Sequence, residues 1–241
     1  MVRWLEPPEE LVLEAGEAHV WKKSLESLDA SFWDVLSIEE AERAGRFRFP
    51  RHRDRFVTSR AVLRLLLGRY LGVDPGEVAF RYSDKGKPSV INNPLDLRFN
   101  VAHSHDLALY AFTRGVEIGV DVEMIREGPA EERIPERFFS PQEMEAIRAL
   151  PAEQQREAFF RCWTRKEAFL KATGKGITFG LDQFSVSVAP GEPARVIETF
   201  YEPEEAASWS IYEVEPGKLY LGALALRGRL SRLHFWNAEK L

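Results

Sequence analysis

The stretch Ile118-Gly119-Val120-Asp121-Val122-Glu123 lies near the middle of the chain and alternates aliphatic residues with glycine and acids. Successive side chains of a strand point to opposite faces, so this alternation predicts a strand with its three aliphatic side chains on one face. The other face would present Asp121 and Glu123 together. An edge strand that exposes alternate acids to solvent has the same pattern, so these residues alone leave a metal site and a solvated strand open.

A second segment, Trp163-Thr164-Arg165-Lys166-Glu167-Ala168-Phe169-Leu170-Lys171, predicts a helix. Glu167 and Lys171 are four residues apart and would share one face of it. Such a pair is also a common surface stabiliser, worth about 0.2–0.5 kcal/mol. Together with the two strand acids, however, the segment supplies three carboxylates and an ammonium group. This set suits Mg²⁺ and a phosphate ester, because Mg²⁺ prefers oxygen ligands and takes some of them from substrate phosphates.

The composition is that of an ordinary soluble globular protein, with 44% hydrophobic and 29% charged residues among 241. This length allows one large domain or two small ones. The single cysteine, Cys162, excludes an intrachain disulfide framework and a cysteine-cluster zinc site. The first residues contain no apolar stretch of the signal-peptide type, and no segment approaches the roughly 20 apolar residues of a membrane helix. We therefore expect a cytoplasmic protein with no membrane partner.

The net charge of −5 is unevenly distributed. Nine arginines lie from Arg43 to Arg69, where Asp54 is the single acid, while acids concentrate in segments 6–17, 127–136 and 202–205. The arginines form either a solvated helix face or a surface for an anionic ligand or an acidic protein partner. Nucleic acid is not expected as a partner, because the whole chain is acidic and no nucleic-acid motif accompanies the arginines.

Capping signals and apolar periodicity predict two long helices, at 53–70 and about 152–173, with Gly72 and Gly174 just beyond them. Strands are predicted at 78–82, 97–103, 108–112 and 118–123 and, after the second helix, at 184–188, 194–197, 208–214 and 220–226, with a hairpin turn at 215–218. The order of a long helix followed by strands thus occurs twice. We therefore predict an α+β fold of two similar lobes related by a pseudo-twofold axis, residues 1–115 and 116–241, with a ligand cleft between them.

Two histidines, His103 and His105, lie near the end of the strand predicted at 97–103. On an extended strand both would face the same way, so a transition-metal pair is conceivable. Nothing else in the sequence completes such a site. A histidine that hydrogen-bonds a phosphate is the preferred functional interpretation, and a packed core histidine is the structural alternative. Lys87 is presented by a Gly-Lys-Pro turn, which by itself indicates little.

Six motifs, in their order along the chain, resemble the 4′-phosphopantetheinyl transferase family, in its larger, surfactin-synthetase-activating type. The resemblance extends from Ser37 to Val188. The motifs are Gly86-Lys87-Pro88, Phe99-Asn100-Val101-Ala102-His103-Ser104, Ile118-Gly119-Val120-Asp121-Val122-Glu123, Arg137-Phe138-Phe139-Ser140, Trp163-Thr164-Arg165-Lys166-Glu167-Ala168-Phe169-Leu170-Lys171 and Gly174-Lys175-Gly176. The third and fifth motifs at this separation are the most specific.

The resemblance implies transfer of the phosphopantetheine arm of coenzyme A to a serine of an apo acyl or peptidyl carrier protein, with release of 3′,5′-ADP. It also implies a monomer with its site between two α+β lobes. Asp121, Glu123 and Glu167 would hold Mg²⁺ with the coenzyme A pyrophosphate. The catalytic residues would be Asp121, Glu167 and Lys171, with Glu167 taking the proton of the serine directly or through a metal-bound water and Lys171 next to the leaving group. The residues that bind coenzyme A would be Arg43, Arg60, Lys87, His103 and Lys171.

The sequence departs from the family at Ala102, where a serine is common, and at Glu40 and Arg43, where some relatives have lysines. These departures leave the contacts to the 3′-phosphate open. Ser140-Pro141-Gln142-Glu143 has the form of a capping box, so we interpret Glu143 as a helix cap and not as the base. Two other functions use the same residues: a Mg²⁺-dependent nucleotide phosphohydrolase and a non-catalytic coenzyme A-binding module.

Overall fold

The secondary structure mixes helices and strands, as predicted, in a computed structural model that describes residues 3–126, 138–176 and 179–241. Arg137 of the fourth motif and the acids at 127–136 lie outside these residues. The helices are α1 (Ile38–Gly45), α2 (Pro50–Leu71), α3 (Pro141–Arg148) and α4 (Ala152–Thr173). The strands are β1 (Glu17–Ser24), β2 (Phe80–Tyr82), β3 (Pro88–Val90), β4 (Leu97–Ser104), β5 (Leu107–Arg114), β6 (Ile118–Met124), β7 (Phe184–Val186), β8 (Val196–Thr199), β9 (Trp209–Gly217), β10 (Tyr220–Arg227) and β11 (Arg232–Asn237).

The two long helices end where the sequence predicts. Gly72 and Gly174 follow α2 and α4 in the left-handed conformation, each with φ of 67°. In each case the glycine N–H donates to a carbonyl of the last turn. The left-handed conformation favours glycine, because a residue with a Cβ is strained at this φ. Helix α2 begins three residues earlier than predicted, because Pro50 occupies the first turn, where its missing N–H has no helical partner to lose.

The strands form two larger sheets. One has the order β11-β1-β5-β4 and the other the order β6-β10-β9, while β2-β3 and β7-β8 form separate pairs. The pattern-based analysis missed β1 and β11. These two strands pair in parallel, with His19 opposite His234. Strand β11 therefore joins the sheet built from the first half of the chain, although its residues fall within the predicted second lobe. The boundary between the two lobes at residues 115 and 116 stays a prediction.

The two sheets pack face to face, and a long helix covers the outer face of each. Side chains from α2, β4 and β5 form one core, and side chains from α4 and β10 form another. A third core lies between the sheets and includes Val20, Ala102, Leu109, Val120 and Leu224. The order of layers is thus helix, sheet, sheet, helix, which gives each sheet two buried faces.

The two faces of β6 are those that the alternation predicts. Ile118, Val120 and Val122 are buried between the sheets. The opposite face lies so close to α4 that a Cβ on Gly119 would be 2.0 Å from the carbonyl oxygen of Ala168. Only glycine permits this approach. It brings the acid-bearing face of β6 directly against α4.

Two turns differ from their predictions. Strand β9 continues to Gly217 and β10 begins at Tyr220, so the hairpin turn lies two residues further along than predicted. His105 has φ of 52° in the tight connection between β4 and β5, so strand alternation ends at Ser104 and does not extend over both histidines. Within the described part of the chain, none of the helices combines the length and the apolar character that crossing a membrane requires.

Candidate active site

Asp121 and Lys171 meet where β6 contacts the last turn of α4. Lys171 Nζ lies 2.6 Å from Asp121 Oδ1 and donates a second hydrogen bond to the carbonyl oxygen of Val120 at 3.2 Å. Asp121 is buried, whereas the Lys171 side chain is 29% exposed. The sequence analysis placed both residues in one site without predicting this ion pair.

Asp121 and Glu167 both lie in surroundings that disfavour their ionised forms. Burial raises the pKa of Asp121 to about 7; Lys171 opposes this, and the nearby Glu123 and Glu167 raise the pKa further. Burial also raises the pKa of Glu167, with Lys171 again opposing and Glu123 adding to the rise. Three carboxylates therefore interact in a place where water screens them poorly, and a bound cation would relieve their repulsion.

The donor atoms fit a hard divalent cation. Asp121 Oδ2 and Glu167 Oε1 are buried and have no hydrogen-bond partner among the described residues. Unpartnered buried oxygens are costly, and a cation that prefers oxygen ligands would satisfy them. Asp121, Glu123 and Glu167 are not gathered around one point. Among the described residues, these three do not form a group whose ligand atoms all lie within 4.8 Å of one another.

Two polar residues of β4 support the site, and the sequence analysis assigned no role to either. Ser104 Oγ donates to Glu123 Oε2 at 2.6 Å, and Asn100 Oδ1 accepts the Val120 N–H at 2.9 Å. Both side chains are buried. Asn100 and Ser104 are four residues apart on a strand and share the face that meets β6. That alternation of polar residues was the signal available in the sequence.

Lys87 lies beside the start of β6, next to the same last turn of α4. Its Nζ donates to Glu117 Oε2 at 2.5 Å and to the carbonyl oxygen of Lys171 at 2.9 Å. Together with Glu167 and Lys171 it lines a cavity of about 500 Å³, here called the lysine cavity. The structure thus brings Lys87 close to the carboxylate site, and its role toward a phosphate stays a prediction.

The predicted 3′-phosphate residues line a separate cavity of about 520 Å³. Its walls include Arg43, Arg55, Arg60, His52, His103 and His105, and we call it the arginine cavity. Pro88 belongs to the walls of both cavities, so they adjoin. His103 therefore lies with the arginines and not with Lys87.

Glu40, one of the departures from the family pattern, has a structural role. It completes a capping box with Ser37 at the start of α1. Its carboxylate also pairs with Arg60 and, at 2.6 Å, with Arg64, and these arginines keep its pKa below the usual range against the effect of burial. Arg60 additionally donates to the Tyr82 hydroxyl at 2.8 Å. Part of the positive charge of Arg60 is thus already neutralised by Glu40.

Glu143 is the cap that the sequence predicts. The Ser140 hydroxyl accepts the Glu143 N–H, and the Glu143 carboxylate accepts the Ser140 N–H at 2.8 Å. In addition, Lys166 Nζ contacts both Glu143 oxygens, at 2.6 and 2.7 Å, and both side chains are almost fully buried. The fifth motif therefore contains a structural lysine, Lys166, beside Glu167. Nothing in the sequence pattern distinguished the two roles.

Ala102 belongs to the core between the sheets and is 5% exposed. It does not line the arginine cavity, although its neighbour His103 does. The missing hydroxyl at this position is therefore replaced by a methyl group that packs in the interior.

Comparisons with known proteins identify relatives of the chain. The sequence profile of the 4′-phosphopantetheinyl transferase superfamily matches residues 117–225, and that of the 4′-phosphopantetheinyl transferase N-terminal region matches residues 19–114. The 4′-phosphopantetheinyl transferase HetI of Nostoc sp. is 40% identical over 97% of this chain and 98% of its own length. Sfp of Bacillus subtilis is 30% identical over 77% of this chain and 80% of its own length. The human L-aminoadipate-semialdehyde dehydrogenase-phosphopantetheinyl transferase is 30% identical over 80% of this chain and 67% of its own length.

The two profiles together cover both sheets except strand β11 and the ends of β1 and β10, and the alignment with the Nostoc relative covers 97% of the chain. Asp121 and Glu123 of β6 and Glu167 and Lys171 of α4 lie inside the region matched by the superfamily profile. The chain belongs to the 4′-phosphopantetheinyl transferase superfamily, in agreement with the larger type that its motifs resemble.

Proposed function

We propose that this protein transfers the 4′-phosphopantetheine arm of coenzyme A to a serine hydroxyl of an apo acyl or peptidyl carrier protein and releases 3′,5′-ADP. Membership of the family supports the transfer reaction. The observation that carries the assignment to this site is the group formed by the buried Asp121 and Glu167 and the partly exposed Lys171, in which two carboxylate oxygens have no hydrogen-bond partner among the described residues. Such a group suits a phosphoryl transfer.

Asp121, Glu123 and Glu167 would hold Mg²⁺ in this proposal. When bound, the cation would neutralise negative charge on the pyrophosphate of coenzyme A. The unpartnered oxygens of Asp121 and Glu167 support this assignment, and Ser104 would hold Glu123 in place through its 2.6 Å hydrogen bond.

Glu167 would accept the proton of the attacking serine. Glu167 lines the lysine cavity, so its carboxylate can be reached by the hydroxyl of a carrier serine that enters there. Lys171 would stabilise the negative charge on the departing 3′,5′-ADP. It lies one helical turn beyond Glu167, and its partly exposed ammonium group can reach an anion in the lysine cavity.

Coenzyme A would bind across both cavities. Arg43 and Arg60 would face the 3′-phosphate in the arginine cavity, and His103 would contact a phosphate at its edge. Lys87 would contact a phosphate from the lysine cavity after exchanging its bond to Glu117. The proposal includes the pseudo-twofold relation between the lobes 1–115 and 116–241; one long helix outside each sheet supports it. It also includes a monomer in the cytoplasm, with no nucleic-acid partner.

The test is incubation of the protein with coenzyme A, Mg²⁺ and an apo carrier protein, followed by intact mass measurement. Transfer adds one phosphopantetheinyl group to the carrier. Hydrolysis of coenzyme A without carrier would instead support the phosphohydrolase, and binding without turnover would support the non-catalytic module. Glu167→Gln should abolish the mass gain, whereas the matched change Glu153→Gln on the exposed start of α4 should not.

A further inference from the structure

A second group of metal-binding side chains lies away from the proposed active site. Glu17, His19 and His234 each offer a ligand atom, and all three atoms lie within 4.8 Å of one another. His19 and His234 are opposite each other on the parallel strands β1 and β11, and Glu17 precedes His19 by two residues on the same face. The group therefore sits at the edge of the four-stranded sheet.

We propose that Glu17, His19 and His234 bind a transition-metal cation of the zinc type. Two imidazoles and one carboxylate are a ligand set that zinc accepts with four-coordinate geometry, and one position remains for water. Mg²⁺ is a poor occupant because it prefers oxygen ligands. Ligand atoms about 2.0–2.1 Å from a tetrahedral zinc ion lie about 3.4 Å from one another, so atoms now up to 4.8 Å apart would have to approach by at most about 1.4 Å. Rotation of the partly exposed His234 side chain would provide this approach.

The surroundings of His19 favour a metal ligand. Its Nδ1 lies 2.8 Å from the hydroxyl of Tyr70. In the tautomer with the hydrogen on Nδ1, that nitrogen donates to Tyr70 and Nε2 is left for the cation. The Tyr70 hydroxyl also accepts the indole N–H of Trp21 at 2.8 Å, so its position is fixed from two directions. A second hydrogen bond of this kind orients the ring of a metal-ligating histidine.

The other two ligands are held less firmly, which leaves room for the site to close. The His234 ring stacks on Trp236 with a centroid separation of 5.3 Å and lies 5.2 Å from the His19 ring. Glu17 is almost buried, and its nearest cation is the 72% exposed Arg232, at 3.6 Å. This long, exposed ion pair is weak and can yield to a metal ion.

The consequence of metal binding would be mechanical and not catalytic. Glu17 and His19 belong to β1, and His234 belongs to β11, so the ion would fasten two strands that are far apart in the sequence. The group packs beside Tyr70 of α2, whereas the proposed active site lies between β6 and α4. The two metal sites can therefore be examined separately.

The experiment uses the full chain after treatment with a chelator, and Co²⁺ as a coloured probe for zinc. We expect one equivalent of Co²⁺ to produce the absorption of a tetrahedral site and Zn²⁺ to abolish that absorption by displacement. His234→Ala and Glu17→Gln should each weaken Co²⁺ binding at least about tenfold, since each removes one of three ligands. Glu14→Gln, a neighbouring exposed acid, and Asp121→Asn, at the proposed active site, should leave the affinity unchanged.

Thermal unfolding gives a second readout. At a Zn²⁺ concentration of about 100 times its dissociation constant, the wild-type melting temperature should rise by roughly 5–10 °C. The His234→Ala variant, checked for folding by circular dichroism, should show no such rise. The proposal is wrong if the wild-type chain binds neither Co²⁺ nor Zn²⁺, in which case the histidines only pack. It is equally wrong if binding survives both ligand changes or is lost on Asp121→Asn.

Discussion

Asp121→Asn should make the protein more stable while it removes the proposed activity. Asp121 has a pKa of about 7 in the folded chain against an ordinary value of 3.8. By linkage, this difference corresponds to roughly 4 kcal/mol of unfolding free energy lost once the carboxyl is ionised. Asparagine has nearly the same shape and cannot ionise. We therefore expect the variant to gain roughly 2–4 kcal/mol of unfolding free energy at pH 8, where the lower value allows for the weaker hydrogen bond that an amide oxygen accepts from Lys171.

The sign of the pH dependence follows from the raised pKa. Below about pH 4 the carboxyl is protonated in both the folded and the unfolded chain, so wild type and variant should be equally stable. Between about pH 4 and pH 7 the folded chain retains a proton that the unfolded chain has lost, so wild-type stability should fall relative to the variant as the pH rises. Above about pH 7 the difference in unfolding free energy between wild type and variant should be constant.

The assay is urea unfolding with a chelator present, at pH 4.5 and at pH 8, followed by circular dichroism. Asp34→Asn, on the surface, is the matched control and should change stability by less than about 0.5 kcal/mol at both pH values. Addition of Mg²⁺ at pH 8 should stabilise the wild type and not Asp121→Asn. If the variant is less stable than wild type at pH 8, or if its advantage is as large at pH 4.5, the electrostatic account of this site is refuted.

Two further changes test the structural framework. Glu143→Gln leaves Lys166 buried without its counter-charge and should lower the unfolding free energy, measured in urea, by about 3–5 kcal/mol. Combining it with Lys166→Met should recover most of this loss. Equal stability of wild type and the single variant would contradict the ion pair. Gly119→Ala would place a Cβ 2.0 Å from the Ala168 carbonyl oxygen and should lower the unfolding free energy by at least about 3 kcal/mol. Gly45→Ala is the control and should be tolerated, because a Cβ there meets nothing within 4 Å. Equal melting temperatures for the two variants would show that α4 does not pack on β6 as described.

Local sequence signals were sufficient for the elements that carry the active site. The alternation in β6 and the spacing of Glu167 and Lys171 depend on neighbouring residues alone, and the structure shows both as predicted. The glycines after α2 and α4 mark helix ends for the same local reason. Strands β1 and β11 alternate polar and apolar residues over only four positions each, 17–20 and 232–235, before a tryptophan breaks the pattern. This signal is short, and each strand pairs with a partner far away in the chain, so the local pattern was not recognised.

The sequence likewise did not reveal which charged groups pair with one another. Lys166 and Glu167 are adjacent in one motif, yet Lys166 turns to Glu143 in the interior while Glu167 faces the lysine cavity. Glu40 could be recognised as a departure, but its pairing with Arg60 and Arg64 depends on how α1 packs on α2. Tertiary packing decides such pairs, and the same residue types at the same spacing allow several of them.

The parallel pairing of β1 with β11 also has a consequence during synthesis. The free edge of β1 stays unpaired until residues 232–237 have been translated, so a growing chain carries an open strand edge for most of its production. Contacts between such distant segments close slowly, because a long loop must be ordered first. The nascent protein should therefore be most exposed to aggregation and to chaperone capture just before β11 arrives, and premature termination before Arg232 should yield a fragment that cells remove.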